Sequence, residues 1–398
     1  MGTGLITQNA VIFATAGPRT MNLSRSLRHL VRLAAALTIV LVLVCAVMAG
    51  LARLGVRVPT HMMTSVAWHG VLMAPVFFGS LISMERAVAL QRRVYLLAPA
   101  SAIAAGIVLL ASASPVIAQS LLLFAASVAL VGSLQVIRRQ AALHLAVLAL
   151  AVLCWWFGNL VWTITNDVSA CLLCWLSFLV LTIAAERLEL TRMLRLPRYA
   201  RHAFFVPVAL MVASLPWALW QPDAGARLFA VGLVLLAAWL ARFDIARHTV
   251  RQHALTRFIA VCLLSGYGWL ALSGILGLAG ALTPGRPWHD AALHALTLGF
   301  VFSMVFGHAP IIVPALTRLP VKYHPLFYVP LVALHVGLAM RVTGDLAAAF
   351  WLRQAGGMTS AVALAVFATT LITAVLAARR RRARPGGSGR MPNPTHSP

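Results

Sequence analysis

Runs of roughly 20 apolar residues recur from Leu30 to the end of the chain, separated by short polar breaks. Each is long enough to cross a hydrocarbon layer ~30 Å thick as an α-helix. Twelve such runs are present: Leu30 to Gly50, Met62 to Met84, Tyr95 to Ala113, Val116 to Ile137, Ala141 to Thr165, Val168 to Ala185, Ala203 to Trp220, Leu228 to Leu240, Phe258 to Leu282, Ala291 to Leu316, Leu326 to Arg341 and Met358 to Ala378. The eighth is the shortest, because Arg227 and Arg242 bracket it, and it spans only if flanking residues join the helix. The pattern predicts an all-α fold, a polytopic membrane helix bundle of about twelve transmembrane helices.

The runs form one domain over residues 29–378. Residues 1–28 are expected to be a flexible tail, since Met1 to Thr20 lacks the charged start and long apolar core of a signal peptide. Met21 opens NLSRSLRHLVR, which reads as the approach to the first span, so either Met1 or Met21 can be the start. Residues 379–398 begin with a run of arginines and end in PGGSGRMPNPTHSP, rich in Pro, Gly and Ser, and are expected to be a disordered basic tail.

Composition agrees with the pattern: 61% of residues are hydrophobic and 10% charged, against about 25% charged in a typical soluble domain. The formal charge of +24 has to be placed before it can be interpreted. With the N-terminus inside, the outer segments hold only Arg53, Arg57, Arg227, Arg286, Arg341 and Arg353 of the 32 basic residues. That sorting obeys the positive-inside rule and places both termini in the cytoplasm, as for a multi-pass protein of a cell's inner membrane. The positive charge is then topology plus attraction to anionic membrane lipid, and no nucleic-acid partner is needed to explain it.

Polar residues inside the spans carry the candidate chemistry. The eight acidic residues avoid mid-membrane, with Glu85, Glu186 and Asp290 at span ends. This disfavours a proton-coupled carrier, which commonly needs a carboxylate near the midplane. Histidines behave differently: His69 lies in the second run, His294 and His308 in the tenth, and His335 in the eleventh. Counted from the outer boundaries, His69 and His335 lie at similar depth, with His294 shallower and His308 deeper on nearly the same face as His294.

Neutral imidazoles at similar depth on different helices, with few carboxylates nearby, suit haem. Its iron takes axial imidazole from two sides, its macrocycle wants an apolar slot, and its propionates prefer a basic edge, for which Arg53, Arg57 and Arg286 are candidates. Copper or zinc is the competing use of imidazole, although a closed zinc site wants four ligands together. Alternatively, each ring hydrogen-bonds a neighbouring backbone or hydroxyl group and only pins helices together. Cys171 and Cys174, three apart on one helix face, are a weaker soft-metal candidate. MERAVALQRR from Met84 and AERLELTRML from Ala185 both put Glu-Arg at the inner end of a run, which hints at three blocks of four helices. Tryptophans, including Trp155, Trp156, Trp162, Trp217, Trp220 and Trp288, are expected mostly at span ends as interface anchors.

Twelve spans, a histidine in WHGVLMAPVFFGS in the second and further histidines in the tenth resemble subunit I of the haem-copper oxidases. HALTLGFVFSMVFGH, from His294 to His308, is also similar to the tenth-helix region of the NnrS family of haem-, copper- and nitric oxide-associated membrane proteins. The resemblance implies that His69 is one axial haem ligand and His294 or His308 another; His335 has no counterpart in it. The sixth run, SACLLCWLSFLVLTIAA, has neither histidine nor tyrosine, so the oxidase copper site is absent. The expectation is a haem-binding membrane protein, of b type, with His69 as one axial ligand and His294, His308 or His335 opposite, and copper as a further possible metal. It would work in electron transfer, with a redox partner protein, or in handling nitric oxide or another diatomic gas. A permease or flippase, or a non-catalytic assembly protein, is the alternative.

Overall fold

The structure, a computed structural model, describes residues 25–317 and 319–383. Twelve helices long and apolar enough to cross a membrane are present among them. They are α1 (Arg25–Arg53), α2 (Ser65–Leu90), α3 (Arg93–Leu110), α4 (Pro115–Arg139), α5 (Leu143–Thr165), α6 (Val168–Met193), α7 (Arg198–Trp220), α8 (Pro222–Phe243), α9 (Ala254–Leu278), α10 (His289–Ala315), α11 (Pro325–Leu346) and α12 (Phe350–Ala383). No strand occurs among the described residues.

Every run read from the sequence corresponds to one helix. The eighth extends at both ends, with Arg227 and Arg242 inside α8. Residues 25–28 and 379–383 continue α1 and α12, because helix propagates past the apolar core into its basic flanks, so part of each expected tail is helical. The rest of both tails lies outside the described residues.

Local signals set the ends. Pro115 and Pro222 occupy first-turn positions, where the missing N–H costs nothing. Asp167 caps α6 by accepting the Ser169 N–H at 2.8 Å. Gln91 and Asn166 take the left-handed conformation that ends α2 and α5.

Consecutive helices are neighbours throughout, and α1 also meets α10 and α12. The second member of each set of four, α2, α6 and α10, lies inward, and these three pack on one another. Of the twelve, α6 is the most enclosed and α12 the least.

The interior departs from the sequence expectation for tryptophan. Trp155, Trp162 and Trp175 are fully buried, with Trp155 stacked on Phe178. Trp175 Nε1 donates to Asn159 Oδ1 at 3.1 Å, and Asn159 Nδ2 in turn donates to the Leu122 carbonyl, so the Trp175 indole belongs to a buckle joining α4, α5 and α6. Trp217 and Trp220 stay exposed, as interface anchors require.

Candidate functional site

Two of the inward helices change their winding beside a histidine. A 3-10 stretch over Thr60–Trp68 leads into α2, which turns α-helical at His69 and becomes π-helix over Leu72–Phe78. Pro75 lies in that segment, where its missing N–H breaks the ordinary ladder. In α10, His294 is followed at once by π-helix over Ala295–Phe302. Such wide turns are rare and cluster at functional sites.

The two histidines face each other with ring centres 6.4 Å apart and planes 18° from parallel. Eight residues further along each helix, Phe77 and Phe302 repeat the arrangement at 6.3 Å and 4°. His69 Nδ1 donates to the Ala46 carbonyl at 2.7 Å, and His294 Nδ1 donates to the Asp290 carbonyl at 2.8 Å. Because a carbonyl only accepts, the proton of each neutral ring sits on Nδ1. Each Nε2 therefore carries a lone pair, and no described residue engages either one.

α1 fits around the first of these rings. A Cβ on Gly50 would lie 2.6 Å from His69 Cε1, so only glycine permits this approach. On the cleft side, a Cβ on Gly70 would meet nothing within 4 Å.

The rings line a cavity of about 780 Å³. Its inner walls are apolar, with Met73 and Phe78 from α2, Leu172 and Leu176 from α6, and Phe302 from α10. Its outer rim is basic, with Arg53, Arg286, Arg341 and Arg353. Arg341, 8% exposed, clamps Asp290 through Nε to Oδ2 at 2.8 Å and Nη2 to Oδ1 at 2.7 Å. Asp290 Oδ1 is also 3.3 Å from His294 Nδ1. Behind this pair, Asp345 accepts the Ala291 N–H at 2.9 Å and pairs with Arg353. The α10 start is thus fixed from α11 and α12.

The other two candidate histidines are elsewhere. His308 Nδ1 donates to the Met304 carbonyl, and its Nε2 accepts from Arg187 at 3.0 Å, tying α10 to α6 near their far ends. His335 Nδ1 accepts from Trp269 Nε1 at 2.9 Å, and its Nε2 lies 3.0 Å from Ser265 Oγ, tying α11 to α9. Both nitrogens of both rings are engaged by protein groups, which leaves neither a free lone pair. Of the arginines expected at the rim, Arg53 and Arg286 line the cavity, Arg57 does not, and Arg286 also pairs with Asp223.

Sequence reasoning did not find the Asp290, Arg341, Asp345 and Arg353 set, although the four-residue spacing of Asp290 and His294 was a signal that they share a helix face. Among the described residues, no three His, Cys, Asp or Glu side chains converge as a metal site, so Cys171 and Cys174 have no third partner. The two Glu-Arg pairs do converge: Glu85, Arg86, Glu186 and Arg187 line a second cavity of about 430 Å³ at the other end of α2 and α6.

The fold and the cleft define a polytopic helical bundle with spans of membrane-crossing length and a site built on two facing histidines. The chain belongs to the DUF8744 family, described as a domain of unknown function, which matches residues 32–376. No curated protein matches the chain.

Proposed function

We propose that the cleft holds a haem between His69 and His294, in an integral inner-membrane protein that transfers electrons or handles a diatomic gas such as nitric oxide. The observation that carries this reading is a pair of imidazoles whose Nε2 atoms no described residue engages, with no cluster of three His, Cys, Asp or Glu side chains among the described residues. The ring centres lie 6.4 Å apart with planes 18° from parallel, so the two imidazoles flank a common gap. A metal held by two protein ligands needs its remaining positions filled by something else, and a porphyrin brings four nitrogens of its own. A bare zinc or copper ion would want further side chains that the cleft does not offer.

The lining matches the same group. The apolar walls suit a macrocycle, the open face of Gly70 leaves room for a flat molecule, and the basic rim suits two carboxylates. When bound, haem would supply a reversible one-electron couple or a site for a diatomic gas. The chain's own residues orient and enclose. Ala46 and Asp290 hold the Nδ1 protons so that Nε2 points its lone pair away from the backbone. Met73, Phe78, Leu172, Leu176 and Phe302 keep water from the site, and Arg341 keeps Asp290 in place beside His294. A redox partner protein would dock at the outer rim. Both termini lie in the cytoplasm in this reading, with the cleft at the opposite face.

A reduced-minus-oxidised absorption spectrum of the purified full chain, expressed with haem in excess, tests the proposal. Wild type is expected to show haem bands, His69→Ala and His294→Ala to lose them while remaining in the membrane, and His335→Ala to retain them. Wild type without bands would sink the haem reading and leave the permease alternative, which substrate uptake would then address.

A further inference from the structure

At the end of the bundle opposite the histidine cleft, a cavity of about 800 Å³ opens where α5 and α7 begin and α6 and α8 end. Arg192, Arg198, Arg201 and His202 line it, with Trp239 and Leu188 among its apolar walls. None of the three arginines forms a hydrogen bond or ion pair with a described residue. Glu189, one turn before Arg192, is 3.6 Å from His144 Nε2 instead. Three positive charges therefore line one space, and no described residue pairs with them.

The surroundings say what kind of anion fits. The cavity lies at the level where spans begin and end, and beside it Leu143, Met193, Tyr199 and Val206 are exposed on the outside of the bundle. An occupant with a negative head and long apolar tails would satisfy the arginines and cover those side chains together. A small anion would do only the first, and it would fill little of the space.

We infer that this cavity is a specific site for the phosphate headgroup of an anionic phospholipid, with Arg192, Arg198 and Arg201 as ligands and the acyl chains running along α5 and α7. The proposal is independent of any cofactor at the other end. Basic pockets between transmembrane helices on the positively biased face are where anionic headgroups bind, and the planar guanidinium suits a phosphodiester better than a point charge does.

The test uses the purified, delipidated full chain in neutral detergent. Phosphatidylglycerol is titrated while the thermal unfolding midpoint is followed, and native mass spectrometry counts bound lipid. Parallel arms use phosphatidylcholine and inorganic phosphate at the same concentrations. Expected is a saturable rise in midpoint with phosphatidylglycerol alone, and lipid affinity weakened at least about tenfold in Arg192→Gln/Arg198→Gln/Arg201→Gln. If the triple variant does not fold, Arg198→Gln and Arg201→Gln singly, both at exposed positions, must each weaken binding, while Arg251→Gln outside the cavity must not. An equal response to phosphatidylcholine, a response reproduced by inorganic phosphate, or unchanged binding in the cavity variants would each overturn the inference.

Discussion

His69 and His335 are alike in residue type and in expected depth, and they part company at the second nitrogen. Trp269 and Ser265 complete the His335 ring, whereas no described residue answers His69 Nε2. No spacing in the sequence separates these cases, because the deciding partners come from other helices, 66 and 70 positions away. The same is true of the clamp on His294. Asp290→Asn is expected to leave Arg341 largely buried and without its carboxylate, costing on the order of 3 kcal/mol; thermal unfolding in detergent checks this, and a wild-type midpoint would mean that the pair is solvent-screened. Gly50→Ala forces a methyl against the His69 ring and is expected to cost about 1–3 kcal/mol. In haem-loaded protein it should also shift the absorption bands, and an unchanged spectrum would mean that α1 moves aside. Asp244 gives a pH prediction outside the spans. Burial raises its carboxyl above the ordinary value of 3.8, opposed by Arg187, while its Oδ1 accepts the Ala246 N–H at 2.7 Å. The folded state then binds the proton more tightly than the unfolded one, so stability declines as pH rises from 3.8 through the raised native value. Asp244→Asn keeps an acceptor and should flatten that decline, whereas Asp244→Ala loses the cap and about 1 kcal/mol at every pH. Thermal midpoints measured from acid to neutral pH distinguish the two.

At the scale of elements, all twelve spans were readable, because nothing but helix satisfies the backbone over 20 apolar residues in a bilayer. Their internal winding was not. In ALTLGFVFSMVF the apolar residues occupy nearly every position, so the pattern carries no phase, and an added residue per turn leaves no trace. The π segment Ala295–Phe302 lies between His294 and His308, and each wide turn takes one extra residue, which re-aims the remainder of the helix by roughly 100° relative to an unbroken α-helix. Pro75 gives the α2 segment a local cause, while Ala295–Phe302 contains no proline to account for its own. Deleting Leu298 should let that segment close into ordinary α-helix with both flanks still in phase. Deleting Val305, in the α-helical part, should turn His294 and His308 apart by about 100°. Size-exclusion profiles and unfolding midpoints are expected to stay near wild type for the first deletion and to collapse for the second. Equal collapse would show that the wide turns are needed for packing rather than tolerated by it.

Over the whole molecule, one exception to the charge rule marks the site. Six basic residues fall on the side that the sorting leaves nearly free of them, and four of the six, Arg53, Arg286, Arg341 and Arg353, line the histidine cleft. With both termini in the cytoplasm, as proposed, topology alone would not favour positive charge there, and the chemistry of the cleft would be what retains it. Asp290, Asp345 and Asp223 answer part of the charge, and Arg53 has no such partner among the described residues. The sequence thus held a pointer to the cleft in the residues that broke its strongest regularity, although the gathering of four such exceptions from α1, the α9–α10 connection, α11 and α12 needed the fold. Which side of the membrane the cleft opens to depends on how the chain is threaded. The native cysteines are buried or half-buried, which permits single-cysteine labelling with a membrane-impermeant maleimide. Ala347 in the α11–α12 turn lies at the cleft end, and Gln252 before α9 lies at the opposite end; both are exposed. In intact spheroplasts Ala347→Cys is expected to label and Gln252→Cys to label only after lysis. The reverse result would put the basic majority outside and the cleft against the cytoplasm, and topology alone would then explain the retention of arginine at its rim.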